Sequence, residues 1–476
     1  MQYRLLIDGS WSDAFEGGTW DVTNPATEET TATVPFGGAA EVEAAIRAAH
    51  RAHPAWADAT AYERGGVLTR VGELIRDRVD DLAPISTKEC GKPLAESRAE
   101  WLAAAAVFEW FSEEGKRAYG RVVPARSPSK RLMVIPVSAG VVGTITAWNF
   151  PVLLASRKWA AALAAGCTVV GRPSELTPMS AMALANLLAE AGTPPGAFNL
   201  VNGEPEAMGE ALLGSPLVGK VGFTGSQRVG RILMSAAAPG LKRLSLELGG
   251  SAPVVVFPDV DVRDAAAQCV RAKFRNNGQV CISPARFYVH ERVFDQFLEA
   301  TEAAVRSLVV GDGMDEGVTL GPLVMSAGRE KVESFVEDAV SKGAKVIVGG
   351  RRPPDFDRGY FYEPTILTNV SPLMRLSCEE VFGPVMPVSP FQTFEEVVEV
   401  ANGTPYGLAG YVLTRDLGTA VRAYESLEFG IVGVNDLFPA TAEAPFGGVK
   451  ESGFGREGGQ EGLREYLDYK FVSMGI

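Results

Sequence analysis

Short runs of β-branched residues alternate with alanine-rich stretches through the middle of the chain, and this alternation predicts two parallel-sheet units. In the first, strand-like runs at 141–146, 168–171, 198–201, 218–223 and 242–247 are separated by helix-like runs at 152–165, 179–191, 206–213 and 228–238. The second extends from 252 to about 434, with helix-like stretches near 264–276, 292–308, 330–342, 393–402 and 420–427. Ahead of both, residues 41–116 read as mostly helical: Val42, Ala45, Ile46 and Ala49 recur at three- and four-residue spacing and share one helix face. That face predicts packing on the first sheet. Two extended segments, 120–125 and 131–137, flank a polar turn at 127–130 and predict a projecting hairpin, while 466–473 reads as a further strand. Exposed strand edges need cover, so these pieces predict an oligomer interface. The expected class is α/β, two doubly wound units with a small β-hairpin arm.

Composition narrows the function classes. With 476 residues and 46% hydrophobic content the chain has ordinary globular make-up. A formal net charge of -13 disfavours nucleic acid and anionic lipid as partners, although a local basic pocket can still hold a small anion. No stretch reaches the length of a membrane span, and residues 1–9 lack the basic-then-apolar order of a signal peptide, so a cytoplasmic location is expected. Five scattered cysteines without a C-x-x-C pair fit reduced thiols.

Elimination then selects the chemistry. His50, His53 and His290 have no Cys, Asp or Glu at metal-ligand spacing, so neither a metal centre nor a histidine triad is expected. Cys90 and Cys269 lie in helical patterns, Cys167 opens an apolar strand and Cys378 precedes an acidic pair; packing accounts for them. Cys281 differs, because it follows a helix that stops at Asn276-Asn277-Gly278 and precedes a strand, on a connection where a side chain can face a cleft. Without a histidine, this thiol needs another base. Glu247, in Leu246-Glu247-Leu248-Gly249-Gly250, ends a strand among leucines that predict burial and a raised pKa, the alternative being a capping or surface carboxylate. Asn149 follows the strand at 141–146 and offers an amide to a developing oxyanion, the alternative being only a turn before a helix opening at Pro151. A thiolate, a carboxylate base and an oxyanion donor together point to acyl chemistry. For a dinucleotide, Gly453 to Gly458 fits G-x-G-x-x-G but follows no strand of a βαβ unit and reads as a chance match. Phe223-Thr224-Gly225-Ser226, between a strand and a helix starting near Gln227, is the better phosphate turn.

Six motifs together resemble the aldehyde dehydrogenase superfamily in order and approximate spacing. They are Trp148-Asn149-Phe150-Pro151, Phe223-Thr224-Gly225-Ser226, Leu246-Glu247-Leu248-Gly249-Gly250, Gly278-Gln279-Val280-Cys281, Glu380-Val381-Phe382-Gly383-Pro384 and Pro445-Phe446-Gly447-Gly448. The resemblance implies an NAD(P)-binding domain (1–119 with 139–247) built on a Rossmann variant, a catalytic domain (248–440) and an oligomerisation arm (120–138 with 462–476). It implies that Cys281 attacks the aldehyde, that Asn149 and the cysteine N–H stabilise the oxyanion, that hydride passes to nicotinamide, and that Glu247 activates water against the thioester. The cofactor positions it implies are Thr146, Trp148, Arg172, Ser174, Glu175, Gly225, Ser226, Val229, Glu380 and Phe382. Arg172 stands where the family usually has a lysine, and its planar fork alters the geometry available to the adenosine ribose. Glu175 matches a carboxylate that accepts the ribose 2′-hydroxyl, which favours NAD, with NADP as the alternative.

A closer likeness, to succinate semialdehyde and 2-oxoglutarate semialdehyde dehydrogenases, is carried by Phe108-Glu109-Trp110-Phe111, Tyr119-Gly120-Arg121-Val122-Val123-Pro124 and Lys273-Phe274-Arg275-Asn276-Asn277-Gly278. It implies an anionic aldehyde whose distal carboxylate is held by Arg157 and Arg275, with Phe150 and Ser283 beside the substrate. A salt bridge or a solvated helix face is the plainer alternative for Arg157. A phosphonate, sulfonate or neutral aldehyde is the competing substrate class. A silent binding protein on the same fold and a Cys281 ester hydrolase are the competing function classes, and NADH formation on an aldehyde panel separates them.

Overall fold

The computed structural model describes residues 2–476. Its first sheet runs, in spatial order, Gly453–Phe454, Arg243–Leu248, Val218–Gly225, Val141–Ile145, Thr168–Arg172, Phe198–Leu200, Leu5–Ile7 and Ser10–Ser12. The five strands from Arg243–Leu248 to Phe198–Leu200 are mutually parallel and the outer three antiparallel. Val141–Ile145 is buried along its whole length, as expected of a strand covered on both faces by helices. Helices Leu153–Ala164 and Pro178–Glu190 supply much of that cover, and alanines let them approach closely.

Four helices precede this sheet: Ala39–Asp58, Ala61–Asp77, Val79–Cys90 and Leu94–Glu114. Val42, Ala45, Ile46 and Ala49 are buried on the first, as their spacing predicts. Thr60 and Glu63 form a reciprocal capping box on the second, each satisfying a backbone N–H of the first turn. Trp101, Phe108 and Phe111 of the fourth join Trp159 in one core with the sheet.

The second sheet runs Lys345–Val348, Thr365–Thr368, Val385–Phe391, Pro284–His290, Ala252–Val256, Ala409–Leu413 and Ile431–Val434, parallel except for its first strand. Arg121–Val123, Lys130–Ser138 and Leu467–Gly475 form a separate three-stranded antiparallel sheet. Among the described residues no helix is long and apolar enough to cross a membrane.

This topology fixes where ligands can gather. From Val141–Ile145 the chain steps to Thr168–Arg172 on one side and later returns to Val218–Gly225 on the other, leaving a switch point at the carboxyl end of Val141–Ile145. Residues 146–151 and Ser226 emerge there. Arg243–Leu248 ends at Gly249-Gly250 and leads into Ala252–Val256, so the carboxyl edge of the first sheet faces the amino edge of the second. Two details differ from the pattern read in the sequence. Val218–Gly225 runs two residues past the expected end, because Thr224 and Gly225 stay paired with Glu247 and Leu248. Gly453–Phe454 adds an edge strand beside Arg243–Leu248, in a segment assigned to neither unit, since two residues carry no readable period.

Candidate active site

Cys281 sits where the sequence placed it, between helix Val262–Phe274 and strand Pro284–His290. The helix is stopped by three successive left-handed residues, Asn276 (φ 46), Asn277 (φ 54) and Gly278 (φ 72). Asparagine and glycine are the residues that tolerate this region, so the Asn-Asn-Gly run is a geometric requirement. A side chain at Gly278 would collide with the carbonyl oxygen of Gly383, which seats the turn against the Glu380–Pro384 segment. Burial pushes the Cys281 thiol up to about 12; Arg157 opposes the rise, while Glu380 and Glu247 add to it.

Glu247 lies on the polar face of Arg243–Leu248, alternating with Leu246 and Leu248, which pack into the core beneath. It is 3% exposed, and neither carboxylate oxygen has a hydrogen-bond partner in the chain. Burial, with the charge of Glu457, raises its pKa well above the ordinary carboxylate range, against the pull of Lys158, Arg157 and Arg456. Gly447 explains part of the Pro-Phe-Gly-Gly motif, because a side chain there would meet Glu247 Oε1 at 2.9 Å.

Asn149 is buried, and its Nδ2 donates to Gln279 O at 3.0 Å, which ties it directly to the Cys281 turn. An amide carries two N–H donors, so a second remains for an oxyanion. Cys281, Glu247 and Asn149 all line one cavity of about 500 Å³ in the cleft between the two sheets.

The same cavity is lined by Trp148, Gly225, Ser226, Glu380 and Phe382. Ser226 caps helix Gln227–Ala237 by accepting the Val229 N–H at 3.4 Å, so that helix N-terminus opens into the cleft as an anion site. Phe382, at φ 56, stands edge-on to Trp148 with ring centroids 5.5 Å apart. Glu380 accepts the Gly250 N–H at 3.0 Å, and burial raises it to about 7. One strand over, Thr146 Oγ1 and Arg172 Nε are buried without partners, Ser174 closes its own turn by accepting the Leu176 N–H at 3.3 Å, and Glu175 pairs with Arg172. Thr146, Arg172, Ser174 and Glu175 are not among the residues that line the cavity, whereas Ser226 at the helix N-terminus and the Cys281 thiol share it, so it can hold a cofactor phosphate and the reacting carbon together.

Arg157 and Arg275 do not line that cavity. Arg157 is 5% exposed, with its guanidinium 4.1 Å over the Phe446 ring, and Arg275 lies 5.0 Å from the Phe150 ring centroid. Neither makes an ion pair within 4.0 Å among the described residues, although Arg275 and Glu96 feel each other's charge. Arg157 reaches Cys281 and Glu247 electrostatically, whereas Arg275 directly precedes the left-handed turn that leads to the thiol. Ser283 instead turns into its own backbone, with Oγ 3.4 Å from Lys273 O and from Pro284 O.

Several residues of the site escape sequence reasoning. Lys158 pairs with Glu457 in the layer around Glu247, Lys331 donates to Glu380 O at 2.8 Å, and Gln279 accepts from Val324 N at 3.1 Å. Gln279 stood inside a quoted motif; the others carry no local signal.

A part-buried thiol, a partnerless buried carboxyl and an amide donor around one cleft between two α/β sheets define a thiol-dependent oxidoreductase class. The chain belongs to the aldehyde dehydrogenase family, whose sequence pattern matches residues 11–472. It is 48% identical to the mitochondrial succinate-semialdehyde dehydrogenase of Arabidopsis thaliana, over 100% of this chain and 90% of that protein. It is 46% identical to the glutarate-semialdehyde dehydrogenase of Pseudomonas putida, over 100% of this chain and 98% of that protein. The crystal structure of an E. coli NADP-dependent enzyme superposes with a TM-score of 0.98 at 46% identity, covering 100% of this chain and 98% of that one.

Proposed function

We propose that the protein oxidises a dicarboxylic semialdehyde, such as succinate or glutarate semialdehyde, to the acid through a thioester on Cys281, with NAD(P) as cofactor. The observation that carries this reading is the pair of guanidiniums, Arg157 and Arg275, held beside aromatic rings near the thiol without a salt-bridge partner. Guanidiniums among aromatic rings are costly unless an anion meets them. The similarity to succinate- and glutarate-semialdehyde dehydrogenases supports the same substrate class.

In this reading the Cys281 thiol gives its proton to solvent, its sulfur bonds to the aldehyde carbon, and the Asn149 amide with the Cys281 N–H holds the resulting oxyanion. The nicotinamide cofactor, when bound, supplies the acceptor for the hydride that leaves that carbon. Gly225, Ser226 and the first amides of Gln227–Ala237 hold its pyrophosphate, Glu380 a ribose, and Thr146, Arg172, Ser174 and Glu175 its adenosine end. Glu247 then takes a proton from water, the hydroxide adds to the thioester carbonyl, and the sulfur departs as the carbon–sulfur bond breaks. Its raised pKa makes it a stronger base toward water than an ordinary carboxylate. The boundaries 1–119 with 139–247, 248–440, and 120–138 with 462–476 serve as the cofactor, catalytic and arm units of this reading. The arm sheet exposes Val122, Tyr469 and Phe471, which supports a homodimer or homotetramer.

The test compares kcat/KM for succinate semialdehyde and butanal, which share a carbon count and differ in the terminal charge. The acid is expected to lead by on the order of a hundredfold, the value of one or two buried charge-assisted contacts. Equal values would remove the anion pocket from the reading.

A further inference from the structure

The chemistry above leaves one buried ion pair without a task. Lys92, just after helix Val79–Cys90, and Glu100, in the second turn of Leu94–Glu114, meet at 2.5 Å with side chains that have no solvent exposure. Their other hydrogen bonds go to the segment that carries Asn149. Lys92 Nζ donates to Asn149 O at 2.7 Å and lies 4.1 Å over the Phe150 ring. Glu100 Oε1 accepts the N–H of Val152 at 2.9 Å and of Leu153 at 3.1 Å, the opening amides of the helix that bears Arg157.

One turn earlier on the same helix, Glu96 Oε2 accepts the Asn276 N–H at 2.7 Å, and Asn276 Nδ2 donates to Asn149 O at 2.9 Å. Residues four apart share a helix face, so Glu96 and Glu100 fasten the turn before Cys281 and the loop of Asn149 to a single rigid element. Stability alone is a weak reason for such a pair, since well-packed apolar residues often hold a fold equally well. Both ends of this one are committed to residues 149–153.

We infer that Lys92 and Glu100 are positioning residues for the reaction: through the Asn149 carbonyl and the Val152 and Leu153 amides they set the Asn149 side chain against Cys281. Glu96 holds the cysteine turn from the same helix. The inference rests on the oxyanion role proposed for Asn149. A shift of about 1 Å in such a group can cost on the order of a hundredfold in rate.

The experiment follows the pre-steady-state NADH burst with succinate semialdehyde in Lys92→Met, Asn149→Ala and the double variant, with cofactor Kd from fluorescence titration. Lys92→Met is expected to slow the burst by roughly ten- to a hundredfold at unchanged cofactor Kd, and to slow it no further in the Asn149→Ala background. A parental burst in Lys92→Met, or full additivity in the double variant, overturns the positioning role. A parental burst in Asn149→Ala overturns the oxyanion role itself, and the inference falls with it. Should Lys92→Met fail to fold, Glu100→Gln carries the test, because its amide oxygen still accepts from Val152 and Leu153 while Lys92 loses its counter-charge. A slowed burst in Glu100→Gln at parental Tm supports the role, and a parental burst overturns it.

Discussion

Arg172 Nη2 donates to Glu175 Oε2 at 2.7 Å and to Gly203 O at 2.9 Å, so the carboxylate that would repel a 2′-phosphate already carries a buried guanidinium. Electrostatic preference between the two cofactors depends on the net charge at that point, and the pair brings it near zero. NAD and NADP are therefore expected to give kcat/KM values within about tenfold of each other. Glu175→Gln unmasks the arginine and should move the ratio toward NADP by on the order of tenfold, the worth of one charged hydrogen bond. An unchanged ratio would show that the 2′ position lies out of reach of this pair.

Glu247 has no hydrogen-bond partner in the chain, and in the proposed reaction only the second half asks it to accept a proton. Glu247→Gln is expected to keep the first burst of NADH, one per active site, while steady turnover falls by roughly a hundredfold or more. Loss of the burst as well would assign the carboxylate an earlier step.

The same group sets a pH limit. Burial and the neighbouring Glu457 charge favour its protonated form, so activity should be low in acid and climb as Glu247 ionises, at a pH well above the usual carboxylate range. Glu457→Gln removes a negative charge and leaves Lys158 without its ion-pair partner, and both changes lower the Glu247 pKa. The acid limb of the steady-state kcat profile is expected to move to lower pH in that variant. A limb that stays in place would mean that another group governs it.

Along Leu467–Gly475 the side chains alternate, and Tyr469 and Phe471 stand 57% and 63% exposed on one face of the arm sheet. Burying a side chain of this size contributes about 1.5–3 kcal/mol, enough to matter at a subunit contact. Phe471→Glu should shift the oligomer toward monomer in sedimentation velocity runs at micromolar concentration. An unaltered distribution places the interface elsewhere.

The parts of the site that were legible in the sequence are those with a local cause. Cys281 stands out because Asn276-Asn277-Gly278 must break a helix, and Glu247 because a charge ends a leucine-rich strand at two glycines. The two sheets follow from the alternation of β-branched and alanine-rich runs, each of which reports its own surroundings. Lys92, Glu96 and Glu100 carry no such mark: on an alanine-rich helix or in a Gly-Lys-Pro turn, a charge reads as a solvated face until tertiary packing buries it. Lys158 and Glu457 are 299 residues apart, and no local pattern pairs them. Gly453 lies in a chance match to a phosphate motif, and its strand next to Glu247 depends on a partner more than two hundred residues away.

The arginine pocket makes the sharpest demand on substrate. Arg157 rests on Phe446 and Arg275 beside Phe150, two guanidiniums approached from different elements, one inside helix Leu153–Ala164 and the other following helix Val262–Phe274. Arg275 and Glu96 lie within reach of each other's charge, whereas the groups that feel the Arg157 charge include Cys281 and Glu247, both of which burial disposes toward their neutral forms. Arg157 is thus the less compensated of the two, and a substrate carboxylate gains most from it. Arg157→Ala is expected to lower kcat/KM for succinate semialdehyde by on the order of a hundredfold, and Arg275→Ala by about tenfold, from one lost charge-assisted contact in each case. Butanal, which brings no charge, should change little in either variant, so that the acid-to-neutral ratio collapses toward one. Equal losses for both substrates would make the arginines supports for the thiol turn rather than ligands. Selective loss in Arg275→Ala alone would reverse the ranking drawn from Glu96.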